Sequence, residues 1–283
     1  SLIPPSILLV IYGTFTEQPI GMLLIAGILP GLLTAAVYTV LILVRCIADP
    51  KLAPRTHEHI AWSTKWASLR EVWPVPVLFL AVVVSIYAGI ATATEAAAVG
   101  AFVALLIAIF QRRLSRVALY RSVMEAVSST GSIFFVAMGA ILLTRLLALS
   151  GIPYWMVEQL NASEIEPLVF ILGVSVIYLI LGMFLDPIGL MLVTLPVLYP
   201  LFKAMNMDLI WVGILVIKYL EIGLLTPPVG LNVYVVKGVA GDRISIGAIF
   251  KGVTWFLLAE VVVLTLLISF PAISLWLPSM IMN

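Results

Sequence analysis

Long apolar runs separated by short charged stretches set the first reading of this chain. Residues 19–44 form a predominantly apolar run long enough, at about 1.5 Å per residue, to cross a hydrocarbon core of roughly 30 Å. It ends at Arg45. The stretch "RCIADPKLAPRTHEHIAWSTKWASLREVW" (residues 45–73) then carries Arg45, Lys51, Arg55, Lys65 and Arg70 among tryptophans, the pattern of a cytoplasmic loop with an interfacial helix. Apolar segments at 74–90 and 96–110 follow, and "QRRLSRVALYR" (111–121) supplies Arg112, Arg113, Arg116 and Arg121. Two basic loops around two spans predict a helical hairpin that leaves and returns to one side.

Residues 123–149 are apolar but interrupted by "SSTGS" (128–132), and they run into "GIPYWMVEQLNASEIEP" (151–167). That stretch holds Glu158, Glu164 and Glu166 and neither Lys nor Arg, so it is expected to face outward. Residues 168–185 are long enough to span. In "DPIGLMLVTLPVLYPLF" (186–202) the pattern predicts breaks at Asp186, Pro187, Pro196 and Pro200. Residues 211–225, and the segment after Pro227, are too short to cross comfortably, so the pattern between 168 and 236 admits spans or re-entrant hairpins. A loop with Lys237, Arg243 and Lys251 reads as cytoplasmic, and residues 254–277 as the final span.

Composition fixes the solvent. The chain has 283 residues, 63% of them hydrophobic and 10% charged, with mean hydropathy +1.21, which is too apolar for a soluble domain of this length. Helical run lengths, and the lack of regularly alternating ten-residue segments, exclude a transmembrane barrel. The expected fold is an all-α integral membrane protein, a polytopic helical bundle with discontinuous helices and re-entrant hairpins. A net charge of +1 gives no reason to invoke nucleic acid, and Cys46, the single cysteine, excludes an intrachain disulfide. The sequence begins on an apolar stretch with no basic leader region, as if in the middle of a longer arrangement.

One element occurs twice. "LIPPSILLVIYG" (2–13) and "LTPPVGLNVYVV" (225–236) share five of the first ten positions, including the paired prolines. Proline removes a backbone donor and clashes with the preceding turn, so a helix is expected to stop before Thr226 and restart with proline in its first turn. In hydrocarbon such a cut is tolerated only where protein, water or a ligand satisfies the freed groups. Carbonyls at the upstream end suit a small cation such as sodium, and the positive end of the downstream helix suits an anionic group. A kinked structural helix accounts for one Pro-Pro pair. Two copies at matching positions point to a secondary transporter site.

"GLLTPPVGLNVYVVKGVAGD" (223–242), "GMFLDPIGLMLVTLPVLYPL" (182–201) and "ATATEAAAVGAF" (91–102), with the opening "LIPPSILLVIYG", closely resemble the large membrane subunit of tripartite ATP-independent periplasmic (TRAP) transporters. The resemblance covers residues 2–278. It implies an inverted-repeat, elevator-type transporter fold like that of the ion transporter superfamily, in a multi-pass subunit of the bacterial inner membrane. It further implies a symporter that couples sodium to import of an organic acid, a dicarboxylate or similar carboxylate. Implied partners are a smaller membrane subunit and a periplasmic binding protein that delivers the substrate; no cofactor beyond the coupling ion is implied. The family's subunit is longer at its N-terminus, so the resemblance also implies that most of the first repeat lies outside this sequence. A binding-protein-independent, ion-coupled anion transporter of similar architecture is the alternative. No zinc-binding helix signature or serine nucleophile elbow supports an enzyme, and a purely structural subunit leaves the two Pro-Pro breaks without a purpose.

Carried onto this chain, the TPPVG match nominates Thr226, Pro227, Pro228, Val229 and Gly230, with Gly223 just upstream, as one wall of a sodium site. "SSTGS" matches the position of a hairpin tip, which makes Ser128, Ser129, Thr130 and Gly131 the other wall, as hard cations prefer oxygen ligands. Small residues also let membrane helices approach closely, and Ser or Thr can bond back to its own helix, so both readings stand for each. Asp186 before Pro187 is expected first to cap a helix, with cation binding and gating as alternatives. Arg145 either snorkels or attracts a carboxylate, and Ser6 of the PPS element is a further substrate or gating candidate. Thr92 and Glu95 have capping-box spacing, and Ala93 stands where the family usually has proline. Lys218 and Glu221, three apart, can neutralise each other, while Tyr219 stands where asparagine is expected. His57 and His59 read as solvated loop residues, with no arrangement suggesting a metal. Thr254 and Trp255 stand where the family often has Pro-Phe.

These readings divide the chain into five segments: 1–18, the end of a first-repeat broken helix; 19–73, a span and basic amphipathic connector; and 74–121, a scaffold helix pair and basic arm. Residues 122–243 form a second-repeat transport region with hairpins and the TPPVG break, and 244–283 a C-terminal transmembrane helix.

Overall fold

The computed structural model describes residues 2–53, 61–241 and 244–281; Arg55, His57, His59 and Arg243, read above as loop residues, lie outside them. The described residues are helical with no strand. The chain divides into two compact units, residues 42–130 and residues 1–41 with 131–283.

In the second of these, α1 (Ile7–Thr16) starts behind Ser6, whose Oγ accepts from the Leu9 amide at 3.3 Å, so that one donor freed at the helix start is satisfied locally. Next, α2 (Ile20–Ala26) and α3 (Ile28–Ala48) make up the expected first span. Hydroxyls of Thr34 and Thr39 donate to the carbonyls four residues back, Pro30 and Ala35, at 2.9 and 2.8 Å, so these polar side chains interrupt nothing.

The unit of residues 42–130 contains α4 (Trp62–Glu71), α5 (Pro74–Tyr87) and α6 (Ala93–Phe110). The amphipathic α4 meets α5 at a bend of 51°. Packing of α5 on α6 gives the expected hairpin, with Gly100 so near α5 that a Cβ there would lie 2.8 Å from Val82 Cγ2. The capping box opens α6: Thr92 Oγ1 accepts from the Glu95 amide, and a Glu95 carboxylate oxygen accepts from the Thr92 amide.

The long helix α7 (Arg116–Ser150) corrects the sequence reading. No turn forms at Ser128–Gly131, which lie inside one continuous 35-residue helix with exposed side chains. No proline occurs within it, and its two glycines, Gly131 and Gly139, cost only about 1 kcal/mol each relative to alanine. Helix α8 (Ile152–Ala162) occupies most of the acidic connector, after a left-handed Gly151 at φ 72. After α9 (Pro167–Gly182), Asp186 caps α10 (Pro187–Ala204), its Oδ1 accepting from the Ile188 and Gly189 amides at 3.0 Å each. The first-choice capping reading of Asp186 therefore describes the geometry. The expected breaks at Pro196 and Pro200 do not: α10 runs through both. Their four-residue spacing puts the two missing donors on one side of the helix, where a span can bend without stopping.

At the centre stands α11 (Leu209–Gly223), buried from Val212 through Leu220. Helices α1, α2, α9, α10, α13 (Ile246–Ser269) and α14 (Ala272–Ile281) pack on it. Tyr12 lies flat enough on Gly213 that a Cβ there would come 2.5 Å from its ring, and its hydroxyl donates to Leu209 O at 2.7 Å. Trp211 donates through Nε1 to Leu267 O at 2.9 Å, tying α11 to α13. The final apolar run thus begins earlier than expected and is divided at Phe270 and Pro271 into α13 and α14. Five helical stretches among the described residues are long and apolar enough to span a membrane, or six counting the bent α4–α5 pair.

Candidate functional site

The second Pro-Pro element forms the expected discontinuity. Helix α11 ends at Gly223, and α12 (Leu231–Ala240) restarts behind Gly230, which has φ 57. The restart is thus not at a proline: residues 224–230 intervene, and Pro227 and Pro228 are exposed within them. A left-handed residue at position 230 demands glycine, and a Cβ there would also meet Phe250 Cε1 at 3.0 Å. Both Pro-Pro bonds, Pro4–Pro5 and Pro227–Pro228, are cis.

The break is anchored upstream through Thr226. Its amide donates to Ile222 O at 3.0 Å and Gly223 O at 3.1 Å, and its hydroxyl donates to Ile222 O at 2.7 Å. Asn232 N donates across the gap to Leu224 O at 3.1 Å. Among the described residues, no hydrogen bond reaches the carbonyl oxygens of Leu225, Thr226, Pro227, Pro228 or Val229. Carbonyl and hydroxyl oxygens are the ligand type that a hard cation takes, and in hydrocarbon carbonyls without a hydrogen bond need a partner.

Gly223 has a second role. A Cβ on it would lie 2.8 Å from three backbone atoms of Gly182, and one on Gly182 would lie 3.1 Å from Gly223 Cα. The ends of α9 and α11 therefore touch backbone to backbone, and the turn leading to Asp186 begins beside the break. The first Pro-Pro element is also packed on glycines: Leu2 O sits where a Cβ of Gly27 would be, and the Ile3 side chain fills the space above Gly31. Ser6, proposed for substrate or gating, is buried and caps α1. Arg145 is exposed on α7.

Beside the break lies a charge cluster that the sequence reading found only in part. The expected Lys218–Glu221 pair is present, with Nζ 3.2 Å from Glu221 Oε2. A nearer partner is Glu260 of α13, with Lys218 Nζ donating to its Oε1 at 2.9 Å. Lys218 and Glu260 are 1% and 2% exposed, and the Tyr38 hydroxyl of α3 also donates to Glu260 Oε1. Glu260 was legible as an acid alone in "WFLLAEVVVLTLL" (255–267), because an intramembrane carboxylate is a functional suspect by default. Its partners were not legible. Tyr219 is buried, its ring 5.9 Å from that of Tyr178. Tyr38, Thr34 and Glu221 line a cavity of about 250 Å³ with Leu2 and Ile3 of the first Pro-Pro element. Among the described residues no cluster of His, Cys, Asp and Glu fit to hold a metal ion occurs.

Comparison with known proteins gives a family match over residues 1–273 to the tripartite ATP-independent periplasmic transporter, DctM component. The C4-dicarboxylate TRAP transporter large permease protein of Pseudomonas aeruginosa is 33% identical over 279 residues, 98% of this chain and 64% of the relative. The sialic acid TRAP transporter permease protein of Haemophilus influenzae is 31% identical over 99% of this chain and 45% of its own length. The ectoine TRAP transporter large permease protein of Halomonas elongata is 30% identical over 98% of this chain and 64% of its own. The chain thus spans slightly less than two thirds of the large permeases it matches. Permeases of this family are transporters of the bacterial inner membrane and not enzymes. By a match along nearly its whole length, the chain belongs to the DctM component family of tripartite ATP-independent periplasmic transporters.

Proposed function

We propose that this chain is the sodium-binding and substrate-translocating part of a secondary symporter that imports an organic acid by an elevator movement. The observation that carries the reading is the break at residues 224–230, where five consecutive carbonyls receive no hydrogen bond among the described residues and the Thr226 oxygen adjoins them. A sodium ion, taking oxygen ligands, would satisfy groups that hydrocarbon cannot. A carboxylate substrate fits the positive end of a restarted helix. Relatives named for a C4-dicarboxylate, sialic acid and ectoine support a permease whose substrate is chosen elsewhere, by a soluble periplasmic binding protein that works with a small membrane subunit.

The test is Thr226→Val in the permease containing this chain. Loss of the hydroxyl oxygen is expected to raise the sodium concentration for half-maximal uptake about tenfold, equivalent to about 1.4 kcal/mol of binding, with the amount of folded protein unchanged. An unaltered sodium midpoint would show that Thr226 only packs.

A further inference from the structure

We propose that Lys218 is a positioning residue, clamped between α11 and α13 by Glu260 and Tyr38, that fixes the end of α11 and thereby the geometry of the break after it. Lys218 is held by Glu260 Oε1 at 2.9 Å from a helix 42 residues downstream, and Tyr38 holds the same oxygen from α3. Both charged side chains are almost fully buried. A buried ion pair of this kind fixes one arrangement of the helices carrying it, because a shift of α11 against α13 leaves Glu260 without its cation in a medium that cannot solvate it, while Lys218 keeps only Glu221 of its own helix.

The connection to the break is short. Lys218 lies one helical turn before Ile222, on the same side of α11, and Ile222 O receives both the amide and the hydroxyl of Thr226. A displacement of the Lys218 turn is therefore passed to Thr226 and the free carbonyls after it. On the far side Gly182 blocks movement of Gly223, so the break is set by a charge clamp from one direction and by backbone contact from the other. The hydrogen bond from Trp211 Nε1 to Leu267 O also ties α11 to α13, but at the opposite end of the helix.

The sodium readout rests on the function proposed above, so the experiment has a second, sodium-independent one. In a background with Cys46→Ser and any cysteine outside this chain replaced, Thr226→Cys reports the break through its rate of reaction with a small water-soluble thiol reagent. Glu260→Gln and Lys218→Met are compared with Lys218→Arg, which keeps the charge, and with the apolar double variant Lys218→Met/Glu260→Leu, which removes both buried charges. In the Thr226 background, both single neutralisations and the double variant are expected to move the sodium midpoint about tenfold. In the reporter background they are expected to change the thiol reaction rate by a similar factor, with Lys218→Arg close to the parent in both. If the single variants do not fold, the double variant decides. Parent-like midpoint and thiol rate in folded protein would overturn the clamp and leave the pair a packing feature. A parent without sodium dependence would sink the sodium reading, and the thiol rates would then decide the clamp alone.

Discussion

Gly182 and Gly223 meet where neither has room for a single added carbon. Gly223→Ala would put its Cβ 2.8 Å from Gly182 backbone atoms, and backbone cannot rotate aside as a side chain can. Overpacking of this kind costs about 1–3 kcal/mol. Gly223→Ala is therefore expected to lower the unfolding temperature in detergent, whereas Gly247→Ala, with open space around it, should leave it within error; equal behaviour of the two would refute the contact. At this scale the sequence showed what is local. The Lys218–Glu221 pair, the Thr92–Glu95 box and the Asp186 cap all follow from spacings of two to four residues, which helix geometry alone brings together. Glu260 and Tyr38 join Lys218 across 42 and 180 positions of sequence, and no periodicity encodes that.

Among the elements, proline misled at two positions where it stood alone, while Pro187 opens α10 as expected. Pro196 and Pro200 sit inside α10, whereas the Pro227–Pro228 pair coincides with a true discontinuity between α11 and α12. A lone proline removes one hydrogen bond, which a packed membrane helix can lose; consecutive prolines also push the residue before each of them out of the helical region. The opposite error concerned "SSTGS": polar and small residues suggested a turn, but hydroxyls that can bond back to their own helix leave α7 no reason to stop. Spin labels on Met124→Cys and Phe134→Cys, with Cys46→Ser, test this directly. Ten residues of continuous helix separate the two backbone positions by about 15 Å, while a hairpin tip at 128–132 would bring them to within about 10 Å, the separation of neighbouring packed helices.

For the whole molecule, fold class was the most legible property, because 63% hydrophobic residues in helix-length runs leave few solutions in a bilayer. The duplicated Pro-Pro element was legible as well, and the structure seats the first copy against Gly27 and Gly31, while Gly182 packs on Gly223 just upstream of the second. In the function proposed above, free carbonyls at a broken helix take sodium and its inward movement drives the substrate. Each net positive charge moving down 100 mV contributes about 2.3 kcal/mol, enough for roughly a fiftyfold accumulation of a solute moved with it, so sodium ions must outnumber the negative charges of a carboxylate for the potential to drive it. The most direct measurement is uptake of a radiolabelled organic acid into proteoliposomes holding the permease that contains this chain and its small membrane subunit. Uptake is predicted only when the binding protein and an inward sodium gradient are both supplied; undiminished uptake after both are withdrawn would contradict the account.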